Sequence, residues 1–462
     1  MDKRLNRRMP WHMLPVIMSL AWPTMLEQLM QTAVQYIDTA MVGSLGTQAT
    51  AAVGATTTIN WLISSSVSAL SIGFLAYVSQ AMGSKDSEKA VRACAQAVLT
   101  TLSVGTLFTV LTISCSPMVP VWMQVEPEIR ELTGKYFLIL YSPLLFRTAT
   151  IIFGTLLRAV GDTKTPMRVG IWMNVVNVVL NFLLIYPTKN YYGITIPGAG
   201  LGVAGAAVAS AIAFIYGGIA ITVVLFRHPV ISPRGRSISP DWQILKPCLR
   251  VALPNALQRF GTSLGYVVFA AMINSLGDVS TAAHTIANTV ESGFYIPGYG
   301  MQTAAATLAG NALGARDEDR IRDLGRMILT IEVVLMILTG GALFVFAPQM
   351  MDIFSDDKLV ISLGISVLRM VAISEPFYGV FIIIEGMLQG MGKTMMPFLC
   401  NITGMWGVRI LGTFLCTQVL GLGLVSAWGC MIAHNMLLFA LFSLYWISGK
   451  WNPLREKVSV KR

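Results

Sequence analysis

Charge is scarce in this chain. Asp, Glu, Lys and Arg make up 12% of its 462 residues, while 54% are hydrophobic. A soluble domain carries about 25% charged residues, so an ordinary soluble fold is excluded. Cysteines are few and scattered. Cys94, Cys115, Cys248, Cys400, Cys416 and Cys430 form no CxxC pair, so neither a disulfide framework nor a zinc site is indicated. HExxH, a Walker loop and a DDxxD cluster are also missing, as is a nucleotide-binding domain. The chain is therefore not expected to be an enzyme or to carry a cofactor, and uphill work would draw on an ion gradient.

What the chain has in quantity is apolar length. Twelve long apolar stretches lie near 12–42, 48–80, 92–114, 133–157, 166–187, 198–226, 247–274, 280–312, 327–347, 360–390, 396–417 and 423–448. Each is long enough to cross a hydrocarbon core of about 30 Å. The expected fold is an all-α integral membrane protein of twelve transmembrane helices. The opening residues, MDKRLNRRMP, are basic. The apolar stretch behind them is too long for a signal-peptide core and no small-residue cleavage site follows, so no removal is expected.

The net charge of +10 points to nucleic acid only until its distribution is read. One set of alternate loops holds Lys85, Lys89, Arg92, Arg158, Lys164, Arg168, Arg227, Arg234, Arg236, Lys246, Arg250, Arg316, Arg320, Arg322, Arg326 and Lys393, with the tail GKWNPLREKVSVKR. The opposite set holds only Arg130, Lys135, Lys189 and Lys358. That bias excludes a nucleic-acid partner and predicts both termini in the cytoplasm.

A repeat lies in the numbering. AWPTMLEQ at Ala21 matches ALPNALQR at Ala252, SLGT at Ser44 matches SLGD at Ser275, QAMGSKD at Gln80 matches NALGARD at Asn311, and LRAVGDTKTPM at Leu157 matches LQGMGKTMMPF at Leu388. All four pairs share one offset, 231 residues. The chain is read as two six-helix bundles related by pseudo-two-fold symmetry, residues 12–226 and 247–448, joined by a flexible cytoplasmic linker at 227–246. Paired membrane repeats favour a transporter working by alternating access over a passive scaffold.

Against this background the polar residues stand out. PTMLEQLMQTAVQYIDTAMVGSLG, Pro23–Gly46, places Thr24, Glu27, Gln31, Gln35 and Asp38 within an arc of roughly 80° on a helical wheel. The stripe is expected to line a water-accessible cleft, with Pro23 as a bending point. In MNVVNVVLNFLL, Asn177 and Asn181 share a helix face with Asn174 one turn before, and Ser210 falls at a compatible depth. Asp38, Asn177, Asn181 and Ser210 together suit an oxygen-lined pocket for a proton or for Na⁺ at Asp38, Asn177 and Asn181. Interhelical hydrogen bonding is the alternative for the asparagines. The repeat mate of Asp38 is Phe269, and that broken symmetry favours function. In the second half, Glu291 is expected as a further cavity carboxylate, with His284 on its face, and Glu332 has no evident partner. Glu375 and Arg409 come out at similar depth and are expected to form a structural ion pair. Arg259 is expected to snorkel.

YIDTAMVGSLG, RAVGDTKTP, NVVNVVLNFLLIY, GVAGAAVAS and PGYGMQTAAATLAGNALGA together resemble the multidrug and toxic compound extrusion (MATE) family, over about residues 12–447. The resemblance implies twelve helices in two lobes and export of amphipathic, usually cationic, compounds coupled to H⁺ or Na⁺. It makes Asp38 the functional aspartate of helix 1 and matches Asn177 and Ser210 to family positions. Asn181 stands where many relatives have a second aspartate. Acidic positions that a NorM-type branch has in helices 7 and 10 fall near Gln258 and Tyr378 here, with Glu291 as a substitute. The expected substrate cavity is Glu27, Gln31, Gln35, Asn174, Glu291 and Tyr378. The expectation is a secondary antiporter of the plasma or inner membrane, its partners small organic cations and the bilayer, with no obligate protein partner. A lipid-linked oligosaccharide flippase of the same superfamily, which would need a basic cavity, and a non-transporting scaffold are the alternatives.

Overall fold

The computed structural model describes residues 9–191, 194–452 and 454. The expectation that both termini are cytoplasmic concerns ends that lie largely outside these residues. Twelve long helical segments follow one another: α1 Leu14–Gly43, α2 Thr47–Gly83, α3 Ser87–Cys115, α4 as the bent pair Pro127–Tyr141 and Leu144–Ala159, α5 Lys164–Ile185 and α6 Val203–Arg227. Then come α7 Trp242–Asn274, α8 Asp278–Gly314, α9 Glu318–Phe354, α10 Lys358–Gly390, α11 Met395–Val419 and α12 Leu424–Ser448. Among the described residues, nine helices are long and apolar enough to cross a membrane, or ten with α4 counted as one span. The remaining two, α1 and α8, carry the polar stripes (Glu27 to Asp38, and Glu291 with its neighbours) that dilute their hydropathy.

Helix ends repeat at the offset seen in the sequence. α2 and α8 are both 37 residues long and start at Thr47 and Asp278. The turns repeat too. Gly46 and Gly277, Lys85 and Arg316, and Gly161 and Gly392 all take positive φ at equivalent turns. Asp86 and Asp317 cap α3 and α9, each accepting from a backbone N–H three residues on. The register breaks after α5, where Pro187–Tyr191 (β1) pairs antiparallel with Ile194–Ala199 (β2) in a hairpin that hydrophobic patterning did not suggest.

The chain divides into two compact units, Leu26–Val78 with Asp86–Leu249, and Arg250–Arg462 with Met1–Met25 and Ser79–Lys85. The first turns of α1 and the last turn of α2 thus belong with the carboxyl-terminal unit, because small residues allow close backbone approach there. A β-carbon at Gly314 would stand 2.0 Å from the Gln80 carbonyl oxygen, and one at Gly83 would stand 1.9 Å from that of Asn311. Thr24 Oγ lies 2.9 Å from the Gly300 carbonyl oxygen and 2.8 Å from that of Ala21. It satisfies groups next to Pro23, which sits within a continuous α1.

The segment between the halves was expected to be flexible. Instead it is tied to α3. Gln96 donates to the Ser239 carbonyl and accepts from the Asp241 N–H, Arg92 pairs with Asp241, and Arg236 pairs with Glu88.

Candidate functional site

In the amino-terminal unit, α1, α5 and α6 bring four expected residues together. Asn181 Nδ2 donates to Asp38 Oδ1 at 2.6 Å and lies 3.2 Å from Asn177 Oδ1, while Asn177 Nδ2 lies 3.1 Å from Ser210 Oγ. Both asparagines are buried and Asp38 is half-buried. One atom of the cluster is left without a partner. Asn181 Oδ1 is buried with no donor. With the Asn177 amide in the orientation its neighbours favour, its nitrogen donates to Asp38 at 2.9 and 3.2 Å and its oxygen accepts from Ser210 Oγ at 3.1 Å, an arrangement that suits an ionised Asp38. With a single carboxylate and neutral oxygens, the ligand set fits a proton or a monovalent hard cation.

The rest of the polar stripe divides. Gln31 and Gln35 are exposed, and Asn174 is half-buried on α5. Glu27 is not a free cavity carboxylate. Both its oxygens are taken by Arg158 Nη2, at 2.6 and 2.7 Å. Arg158 had been counted only as a loop charge, and a wheel of α1 alone carries no sign of its reach.

Sequence reasoning missed Arg147. Inside α4, it donates to Asn60 Oδ1 and Ser64 Oγ at 2.6 Å each, and its guanidinium lies 4.9 Å from the Phe214 ring centroid. The signal was available as one arginine in the run LLFRTATIIFGTLL. Through the repeat, Arg147, Asn60 and Ser64 correspond to Tyr378, Glu291 and Tyr295. In the carboxyl-terminal unit the Tyr378 hydroxyl meets that of Tyr299 at 2.6 Å, and its ring lies 5.5 Å from that of Tyr295. The same structural position therefore holds a cation in one half and phenols with a carboxyl in the other.

The expected Glu375–Arg409 ion pair does not form. Arg409 is sandwiched against aromatic faces, 4.2 Å from the Phe269 centroid and 4.8 Å from that of Tyr266. Glu375 Oε2 has no partner. The physical reason is local. Residues 403–410 of α11 are wound as a π-helix, which rotates Arg409 away from the direction an α-helical wheel gives it. His284 accepts from Trp428 Nε1 at 3.2 Å rather than serving Glu291. Gln258 and Gln389 both donate to Glu385 Oε1, at 2.6 and 3.2 Å. These glutamines are the repeat mates of Glu27 and Arg158. Arg259 bonds Asn255 Oδ1 at 3.1 Å rather than reaching out alone.

Sequence reading expected no GxSxG motif and passed over GTSLG at Gly261–Gly265, which has the spacing of a hydrolase nucleophile elbow; it lies within continuous α7, where Ser263 Oγ donates to the Arg259 carbonyl at 2.6 Å. The sharp strand-to-helix turn of an elbow is not there. A surface pocket of about 410 Å³ lined by His12, Asp317, Asp319, Arg320 and Asp323 lies by the first turn of α9 and belongs to none of these clusters.

Comparison with known proteins bears on the whole chain. The family model MatE matches residues 23–183 and 254–415, once in each half. The probable multidrug resistance protein NorM of Thermotoga maritima is 27% identical over 447 residues, 96% of this chain and 95% of that protein. Among solved structures, one described as the outward-facing conformation of a multidrug resistance MATE family transporter of the MOP superfamily aligns with a TM-score of 0.88 at 23% identity, covering 96% of each chain. Another, a MOP superfamily transporter from Pyrococcus furiosus described as having a binding pocket of reversed polarity, aligns at 0.86 with 22% identity, covering 95% of this chain and 96% of that one. These structures share the twelve-helix, two-lobe fold.

Proposed function

The chain belongs to the MatE family of membrane transporters, and from that membership and the oxygen cluster at Asp38 we propose that it is a secondary antiporter. It exports amphipathic, cationic organic compounds in exchange for H⁺ or Na⁺, from a cell membrane in which both termini and residues 227–246 face the cytoplasm. The observation that carries the coupling is the Asp38 carboxylate at membrane depth beside a buried carbonyl oxygen, that of Asn181, which has no donor. A carboxylate is costly at that depth and persists where its charge is used. Ion and substrate compete for one negative charge: a bound proton or Na⁺ neutralises it, and a cationic substrate favours it ionised. That competition yields exchange. Gln31, Gln35 and Asn174 supply adaptable polar contacts. No obligate protein partner is called for.

The test is counterflow of a fluorescent organic cation in proteoliposomes under an imposed proton or Na⁺ gradient. Asp38→Asn keeps shape and cannot change charge, so it should insert and fold normally yet lose gradient-driven export. Undiminished coupled transport by a folded Asp38→Asn protein would sink the proposal. Inward movement of a lipid-linked oligosaccharide, with no cation export by the unmodified protein, would favour the flippase instead.

A further inference from the structure

The spacing of the six cysteines indicates no disulfide framework, yet the fold brings two of them together. We propose that Cys416 of α11 and Cys430 of α12 are a redox modification site at the outer face, closed to a disulfide by a water-soluble disulfide oxidant. That the pair faces outward rests on the reading of both termini as cytoplasmic.

Cys416 and Cys430 are 14 residues apart in the chain, and their sulfurs lie 3.8 Å apart. A disulfide bond of about 2.05 Å asks them to close by less than about 2 Å, which rotation of the side chains supplies. Both are free thiols and both are half-buried. The other cysteines are placed differently. Cys94 and Cys248 are buried, Cys400 lies 3.9 Å from Met396 Sδ, and Cys115 belongs to the other compact unit.

The backbone fixes both sulfurs. Cys416 lies in the π-helical turn Leu415–Val419 that ends α11. Such turns are rare and occur mostly at functional sites. The Leu420 N–H donates to the Leu415 carbonyl at 3.0 Å, the Leu422 N–H donates to the Cys416 carbonyl at 2.9 Å, and Gly421 takes the positive φ that turns the chain back. At 1.5 Å per residue, Cys416 lies about 5 Å before the end of α11 and Cys430 about 9 Å after the start of α12, so the two come level just inside the outer helix ends. Gly412, one turn before Cys416, makes room: a β-carbon there would stand 3.2 Å from Cys430 Sγ. The first half has Ile185 at the matching end of α5 and Ala209 at the matching turn of α6. The thiol pair is therefore not part of the duplicated frame.

An oxidant in water can reach this level. Gln418, two residues beyond Cys416, is exposed and donates to the exposed Ser275 Oγ at 2.8 Å. Compartments outside the cytoplasm are oxidising, and disulfides persist there. In the reaction one cysteine loses its proton, and the thiolate attacks a sulfur of the oxidant's disulfide. This forms a mixed disulfide and expels one thiol of the oxidant. The second cysteine, deprotonated in turn, attacks the protein sulfur of the mixed disulfide and releases the other thiol. The protein gives up two electrons and two protons, and the oxidant's disulfide leaves as two thiols. The new bond ties the π-helical end of α11 to α12.

Full-length protein, reduced and then freed of reductant, is treated with glutathione disulfide in detergent and in intact cells. Its six thiols should fall to four in both settings. The intact mass should fall by two hydrogens, a digest should contain the peptide joining Cys416 to Cys430, and dithiothreitol should restore all six thiols. In Cys416→Ser, and equally in Cys430→Ser, the loss of two hydrogens should vanish; either variant suffices if the other folds poorly. Six thiols remaining in detergent, or a loss of two hydrogens that persists in the variants, overturns the site and leaves export through Asp38 untouched. Closure in detergent but not in intact cells overturns the outward assignment, and with it the reading of cytoplasmic termini.

Discussion

Asn181 donates to Asp38 across 2.6 Å while its own carbonyl oxygen, buried beside it, has no donor. An amide so placed serves an ionised carboxylate with one atom and leaves the other for a ligand. Asn181→Asp replaces that arrangement with a second negative charge. Two unit charges about 4 Å apart interact by roughly 1–4 kcal/mol over the range from water to a protein surface. Na⁺ should therefore bind Asn181→Asp about tenfold or more tightly, since 1.4 kcal/mol is about a factor of ten. Isothermal titration with NaCl, read against choline chloride, checks this. Unchanged Na⁺ affinity would mean that the asparagine oxygen does not face the ion.

Glu27 and Arg158 form an ion pair where the other half has Gln258 and Gln389. The second half shows that this position can be held by neutral amides. Glu27→Gln alone strands the guanidinium and should cost about 1–3 kcal/mol of stability. Glu27→Gln with Arg158→Gln should recover most of that loss. Thermal unfolding of the two variants in one detergent makes the comparison. Equal losses in both would show that the charges serve something other than each other.

How much of this was legible in the sequence depends on what each feature requires. The turns were readable because the chemistry of SLGT and SLGD, and of QAMGSKD and NALGARD, recurs at one offset, and equivalent residues then adopt the same positive φ. The Asp38 cluster was readable because charge is rare and the depth along each helix can be counted. Depth is not direction, however. Glu375 and Arg409 share a level, yet the π-helical turn at Thr403–Ile410 turns Arg409 towards Phe269 and Tyr266. Glu27 looked available because its partner lies 131 residues away on α4. The β1–β2 hairpin was hidden because its few residues form a short polar connection between two apolar stretches, which hydrophobic patterning reads as a loop.

The orientation of the chain in the membrane can be tested directly. Single cysteines at Ser237 and at Lys189, placed in a cysteine-free background, should react with an impermeant thiol reagent from opposite faces. Ser237 lies in the segment tied to α3 and Lys189 in β1. Labelling from the same face would overturn both the twelve-helix order and the inference drawn from loop charge.

Arg147 supplies the last prediction, and magnitudes decide its direction. Its guanidinium holds Asn60 and Ser64 through two short hydrogen bonds, with no carboxylate among its bonded partners. Leaving those two polar groups unpaired costs about 1–3 kcal/mol each. Burying an arginine at membrane depth costs at least about 2.5 kcal/mol on insertion scales, and a methionine in its place escapes that cost. The terms oppose one another at similar size, so Arg147→Met should change stability by no more than about 2 kcal/mol, and Arg147→Met with Asn60→Leu by less, because one stranded group is then removed. Stability alone thus gives weak reason to keep a cation here. Arg147 and Asp38 belong to the same compact unit; a fixed positive charge there is expected to disfavour a doubly charged cation, so Arg147→Met should weaken discrimination between singly and doubly charged organic cations while leaving the fold intact. Export rates for a matched pair of such cations, taken alongside thermal unfolding, give both numbers. A variant that unfolds well below wild type would make Arg147 a brace between α2 and α4, and a variant with unchanged discrimination would remove its role in selecting substrate.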